Sequence, residues 1–168
     1  RKSTIELAKM AQLSEGDKVL DVGCGLGGPA RTLVEEFGVF VDGIDLTSEF
    51  CAVANELTRM TGLSEGAKFS QGNALNLNCE PGSYDVVWTQ QSCMNIEDKG
   101  QMFAEVNRVL KPGGYLLSFG SSRTYHRMAV KVEDKEKIHS LFASLREGDN
   151  SYSNDPAPSP ALGQKQTD

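Results

Sequence analysis

VLDVGCGLGGPAR, residues 19–31, joins a short apolar run to a helical pattern through a glycine-rich turn, and that junction decides the fold. Its first part, Lys18–Val22, is apolar and ends in glycines, the pattern of a strand buried on both faces. From Pro29 onward the period changes to that of a helix. Ala30, Leu33, Val34 and Phe37 share one stripe, Pro29 stands in the first turn where a missing N–H costs little, and Gly38 closes the segment. Between them Gly23, Gly25 and Gly28 satisfy GxGxxG after a strand and before a helix. Glycine lets the backbone turn sharply and approach a ligand, and the helix start behind it offers unpaired N–H groups. A nucleoside cofactor is the first expectation; a turn that binds nothing is the alternative.

Working outward, residues 4–13 place Ile5, Leu7, Ala8, Met10 and Ala11 at helical spacing. Downstream, 39–44 reads as a second strand, followed by a helix capped by Thr47 or Ser48 and running to about Met60 through Phe50, Val53, Ala54 and Leu57. A short strand at 67–71 and a continuously apolar one at 84–89 come next. A helix over 98–110, with Met102, Phe103, Val106, Val109 and Leu110 on its stripe, leads through a turn at 111–114 to a fifth strand at 115–119. Strands alternating with helices imply parallel pairing by right-handed crossovers. The expected architecture is a three-layer α/β, doubly wound, Rossmann-like sheet in the order 3-2-1-4-5. Beyond Gly120, residues 132–146 read as an amphipathic helix, and 148–168, rich in Asn, Ser, Pro and Gln, as a disordered tail. The folded domain is therefore expected over 1–147.

At 168 residues with 39% hydrophobic content, the chain suits one domain with a continuous core. A net charge of −6 argues against neutralising many phosphates, so no nucleic-acid partner is expected. The local cluster Arg123, His126, Arg127 and Lys131 reads as a solvated face. Cys24, Cys51, Cys79 and Cys93 form no CxxC pair and have no histidine at ligand spacing, so no metal is expected and reduced thiols in a cytoplasmic protein fit best. No apolar run reaches the roughly 18 residues of a membrane span, and no signal segment opens the chain. A start at Arg1 suggests a fragment or a processed product.

Two carboxylates refine the ligand. Asp21 stands two positions before Gly23, at the mouth of the strand, where a nicotinamide-binding turn usually has apolar residues. A carboxylate there repels a pyrophosphate and suits an ammonium or sulfonium; S-adenosylmethionine carries both. Its bland alternative is a turn cap or helix-dipole partner. Asp45 ends the second strand in VDGIDLT, about 20 residues past the glycine turn, where an acid accepts hydrogen bonds from ribose hydroxyls. Capping the helix near Thr47 is the competing role. Leu46 beside it could face an adenine.

On these residues the chain resembles the class I S-adenosylmethionine-dependent methyltransferases over residues 17–120. The resemblance is carried by VLDVGCGLGGPAR, the acid of GIDLT, QGNAL at 71–75, SYDVVWTQQS at 83–92 and EVNRVLKPGGYLLSF at 105–119. GLGGPAR and CMNIEDK are similar to the small-molecule branch, which includes glycine and sarcosine N-methyltransferases and sterol and tocopherol methyltransferases. The resemblance implies that Asp21, Gly23 and Gly25 surround the methionine part of the cofactor, with Cys24 and Gly27 also cofactor-binding, that Asp45 holds the ribose, and that Asn73 and Ala74 border the adenine. Many members carry Asp where Asn73 stands; an amide oxygen still accepts from the adenine amino group, while a plain turn role competes. Gln90 ends the fourth strand, where cofactor and acceptor meet, and Gln91 and Met94 are the candidate acceptor contacts. Some relatives in this branch carry His at the position of Gln91.

Methyl transfer from a sulfonium is an in-line displacement with an activated leaving group, so positioning and water exclusion are the main tasks, supplying about 7–11 kcal/mol for well-oriented groups. No catalytic base is assigned: His126 and His139 lie outside every motif. The rival readings are an NAD(P)-dependent oxidoreductase on the same scaffold and a module that binds cofactor but is catalytically incomplete. The second arises because complete members add a helix and an antiparallel strand pair after the fifth strand. Those strands are expected to be missing, leaving the fifth strand as an exposed edge partly covered by 132–146.

Overall fold

The computed structural model describes residues 1–119 and the backbone of one further strand, Tyr125–Met128. In chain order the elements are α1 (Lys2–Ala11), β1 (Lys18–Val22), α2 (Gly28–Phe37), β2 (Phe40–Asp45), α3 (Ser48–Met60), β3 (Ala67–Gln71), β4 (Tyr84–Gln90), a 3-10 turn (Cys93–Asn95), α4 (Lys99–Val109), β5 (Leu110–Phe119) and β6 (Tyr125–Met128). The strands form one sheet in the order β3-β2-β1-β4-β5-β6. β1 to β5 are mutually parallel, in the order that the strand–helix rhythm predicts.

Two apolar clusters sandwich the sheet. On one face Leu7, Ala8 and Ala11 of α1, Ala30 and Leu33 of α2, and Cys51 and Ala54 of α3 pack with Val19, Val41, Phe69, Val86, Trp88 and Leu117 of the strands. On the other, Met102, Phe103, Val106 and Val109 of α4 cover Leu20, Val22, Val87 and Leu116. The central strands β1 and β4 thus bury side chains on both faces, which explains the adjacent apolar residues Val19–Leu20 and Val86–Trp88 within them. The connection from β3 to β4 contains no helix, and a cavity of about 350 Å³ lies over that stretch of sheet, lined by Leu20, Asp42, Ile44, Lys68 and Tyr84 among others.

Two expectations change. The sheet does gain an antiparallel strand: β6 pairs with β5, Phe119 opposite Tyr125 and Leu116 opposite Met128, so the β5 edge is occupied by a strand. Its sequence, YHRM, shows no apolar alternation, and a rim strand needs backbone pairing more than a buried face. Residues 111–114 belong to β5 and form an irregularity inside it, since Tyr84 pairs with Leu110 and Val86 with Tyr115. There the Lys111 ammonium grips both carboxylate oxygens of Asp85 at 2.8 Å, and one of them also accepts the Lys18 N–H at 2.9 Å, tying the starts of β1, β4 and β5 together. The expected helix at 132–146 and the tail at 148–168 lie outside the described residues. No helix among the described residues is long and apolar enough to cross a membrane.

Because the chain goes from β1 to β2 on one side and returns to β4 on the other, a crevice opens at the carboxyl ends of β1 and β4. That crevice is where the glycine turn lies.

Candidate functional site

Asp21 is the penultimate residue of β1, flanked in register by Gly43 on β2 and Trp88 on β4. Its side chain is 1% exposed, and its Oδ2 has no hydrogen-bond partner among the described residues. Burial, reinforced by the nearby Asp45 charge, pushes its carboxyl up to about 7. An orphaned carboxylate oxygen is costly, and native proteins retain one where a ligand or a reaction uses it.

The turn after it is tied down by its own amides. The N–H groups of Gly23 and Cys24 both donate to the Ile44 carbonyl, at 2.8 and 3.0 Å, and the Gly27 N–H donates to the Cys24 carbonyl at 2.9 Å. The Gly25 N–H donates to Asp45 Oδ2 at 3.0 Å, and Asp45 Oδ1 accepts the Thr47 N–H at 3.0 Å. Asp45 therefore joins the glycine turn to Thr47, the N-cap residue of α3, through a local turn bond; α3 itself has no side-chain cap. Four donors of the turn itself are thus engaged inside the protein, and none of them is among the helix-start amides at Gly28 and Ala30 to which the sequence pointed. What opposes the NAD(P) reading is the buried, unpartnered Asp21 carboxylate, which repels a pyrophosphate.

Close packing explains two glycines. A Cβ on Gly27 would stand 2.5 Å from the Phe69 ring, and one on Gly43 2.4 Å from the same ring, so Phe69 packs under the turn where side chains would exclude it. Gly25 differs, because a Cβ there meets nothing within 4 Å, leaving its outer side open. Cys24 is buried, and its thiol is pushed well above the ordinary range by that burial and by Asp21.

The remaining candidates share the carboxyl edge of the sheet. Leu46 is 67% exposed just beyond Asp45. Asn73 and Ala74 follow β3, where Asn73 Oδ1 accepts the Leu75 N–H at 2.9 Å, the turn role that the sequence left open. Gln90 ends β4 with its Oε1 accepting from the Thr4 hydroxyl at 3.2 Å, and so faces α1. Gln91 and Met94 are exposed in the segment after β4.

The methyltransferase domain family matches residues 20–118, more than half of the chain. The chain belongs to that family. This methyltransferase domain is 40% identical over 105 residues to 2-methyl-6-phytyl-1,4-hydroquinone methyltransferase of Synechocystis sp., covering 62% of this chain and 32% of that protein. It is 36% identical over 113 residues to methyltransferase GfsG of Streptomyces halstedii, covering 67% of this chain and 41% of that protein. Among solved structures, phosphoethanolamine N-methyltransferase 2 of Haemonchus contortus in complex with S-adenosyl-L-methionine superposes with a TM-score of 0.66 at 31% identity, covering 70% of this chain and 27% of that one. The [4+2]-cyclase SpnF superposes with a TM-score of 0.67 at 32% identity, over 70% of this chain and 43% of that one. The methyltransferase domain thus spans well under half the length of these relatives.

S-adenosylmethionine is the cofactor the family implies, and the residues present fit it. The orphaned Asp21 oxygen, the open side of Gly25 and the exposed Leu46 lie along one edge, offering in turn a negative charge, an unobstructed backbone and an apolar surface.

Two residues of the methyltransferase domain site escaped the sequence. Ser92 stacks directly on Gly23, and Arg31 reaches from α2 to the Leu26 carbonyl at 2.8 Å and the Thr58 hydroxyl at 3.2 Å. Both lie inside quoted motifs, but the partners that tie them to other elements, Val22 and Thr58, are 70 and 27 residues away and no local spacing announces them.

Proposed function

We propose that this chain is the cofactor-binding domain of an S-adenosylmethionine-dependent methyltransferase that transfers a methyl group to a small-molecule acceptor. The observation that carries the reading is Asp21 Oδ2, buried and unpartnered behind a turn whose own amides are engaged inside the protein. Such a site favours a cation and offers little to a pyrophosphate. In this reading Asp21 faces the ammonium and sulfonium of the cofactor, and Gly23, Cys24, Gly25 and Gly27 form the wall beside its methionine part. Asp45 keeps its oxygens' remaining lone pairs for ribose hydroxyls. Leu46, Asn73 and Ala74 border the adenine, and Gln90, Gln91 and Met94 flank the acceptor.

When bound, the sulfonium supplies an activated methyl group. The chain's own contribution is to hold that group in line with the acceptor and to keep water from the reacting centre. Residues 1–119 contain no histidine, and a neutral amine acceptor, or an acceptor deprotonated elsewhere, fits them. Small-molecule methyltransferases among the relatives, together with a net charge of −6, support a small acceptor over a nucleic acid. Four free thiols support a cytoplasmic setting. The likeness to a cyclase supports a second reading, cofactor binding without methyl transfer, since fold alone does not fix chemistry.

Calorimetry with S-adenosylhomocysteine and with NAD tests the cofactor: heat with the first alone is expected, and heat with NAD alone ends the reading. Incubation with methyl-labelled cofactor and a panel of amines, amino acids, sterols and phenols tests transfer. Label in any acceptor supports the methyltransferase reading, and binding without label across the panel favours the second.

A further inference from the structure

We propose that Ser92 is a positioning residue for the amino-acid end of the cofactor site, holding the segment after β4 against Gly23; this rests on the function proposed above. The Ser92 hydroxyl donates to the Val22 carbonyl at 2.7 Å and lies 2.6 Å from the Thr89 hydroxyl. It therefore bridges the ends of β1 and β4, the two strands between which the crevice opens. Its side chain fills the place a Cβ on Gly23 would take, with Ser92 Cβ at 2.3 Å and Oγ at 2.6 Å from that position. Gly23 is fixed from both sides, its N–H by the Ile44 carbonyl and its open face by Ser92.

The residue before it explains how Ser92 gets there. Gln91 adopts φ 63°, a left-handed conformation that side chains disfavour, and its N–H donates to the Phe119 carbonyl at 2.7 Å. The chain is turned back at that point by its neighbours, and the ends of β1, β4 and β5 are joined through residues 89–92. A strained, well-anchored kink that delivers one small hydroxyl onto the glycine turn couples the two walls of the crevice. Gly23 lies two residues from Asp21, so a shift of Ser92 moves the wall that faces the methionine part and leaves the Asp45 end, held by Gly25 and Thr47, in place.

The test compares two ligands on the full chain by calorimetry: S-adenosylhomocysteine, and 5′-methylthioadenosine, which lacks the amino-acid end. Ser92→Ala is expected to weaken S-adenosylhomocysteine binding fivefold or more while methylthioadenosine stays within twofold, and Ser92→Thr, which keeps the hydroxyl, to recover most of the loss. Equal weakening of both ligands means general support of the fold and overturns the inference, as does no change in either. If Ser92→Ala does not fold, Thr89→Val removes the hydroxyl's other partner and is read by the same ratio. Wild-type chain that binds neither ligand overturns the proposed function itself, whereas loss of binding in Asp21→Asn with no selective effect at Ser92 removes only the inference.

Discussion

Asp21 and Trp88 are register partners on β1 and β4, and each carries a buried polar atom, Oδ2 and Nε1, with no hydrogen-bond partner among the described residues. Each such atom gives up the hydration it had in the unfolded chain without a replacement, at about 1–3 kcal/mol. At Asp21 this marks a place kept for something else, and the fully buried Trp88 ring reports on it from the neighbouring strand. Trp88 is the only tryptophan in the chain. Titration with S-adenosylhomocysteine should therefore change the intrinsic fluorescence with the same midpoint that calorimetry gives, and NAD should leave it flat. Calorimetric binding with an unchanged emission spectrum would place the ligand away from this pair.

The raised Asp21 carboxyl makes cofactor affinity depend on pH. In the free protein it titrates at about 7, because burial and then the Asp45 charge disfavour ionisation. A cationic ligand needs the ionised form, so binding below that pH must expel a proton. Affinity is expected to fall by nearly tenfold per pH unit below about 7 and to level off above it. Asp21→Asn, which keeps the shape and removes the charge, should bind more weakly and lose this slope. Stability runs the other way. The unfolded carboxyl titrates near 4, so the ligand-free fold holds the proton more tightly across the window from there to about 7 and loses stability as pH rises through it. Thermal melts between pH 5 and 8, with and without ligand, separate the two effects.

Gly23 and Gly25 are two residues apart and both have positive φ, yet alanine should fail at them for different reasons. At Gly23 the added methyl runs into Ser92, so strain and overpacking combine and about 3 kcal/mol or more of stability should be lost. At Gly25 the methyl meets no protein atom, leaving only the backbone cost of about 1–2 kcal/mol. Gly25→Ala should thus fold and melt a few degrees lower while binding S-adenosylhomocysteine poorly, because its methyl stands where the ligand approaches. Near-normal binding by Gly25→Ala would show that the open side of the turn is not the ligand's side.

What was readable in advance follows from the range over which each feature is determined. The strand and helix of VLDVGCGLGGPAR, the order of the five parallel strands and the position of Asp45 all follow from local periodicity and short spacings, and each is found where expected. The sense of the glycine turn was not readable. Its amides could equally face a ligand or their own neighbours, and only the placement of the Ile44 carbonyl, about 20 residues on, shows that they face inward. β6 was missed because a rim strand is defined by its partner's free edge and leaves little mark on its own side chains. The Asn73 turn shows the converse. That bland alternative was present in the sequence, and it is satisfied in the fold.

Arg31 offers the sharpest test of whether long-range ties, more than the glycines themselves, shape the site. A single guanidinium nitrogen donates to the Leu26 carbonyl at 2.8 Å, the Thr58 hydroxyl at 3.2 Å and the Ala54 carbonyl at 3.4 Å, clamping the glycine turn to α3. Burial lowers its pKa, and no carboxylate pairs with it among the described ion pairs, so the charge is there to strengthen hydrogen bonds to neutral acceptors. Arg31→Ala releases the Leu26 carbonyl and should cost about 1–3 kcal/mol, a drop of several degrees in Tm. Arg31→Lys keeps the charge but cannot reproduce the planar reach to two elements, and should recover less than half of the loss. Because Leu26 lies between Gly25 and Gly27, both variants should weaken S-adenosylhomocysteine more than their stability alone explains, when compared at a temperature where each is fully folded. Full affinity in a destabilised Arg31→Ala would show that the turn holds its shape through the Ile44 and Asp45 contacts without the clamp.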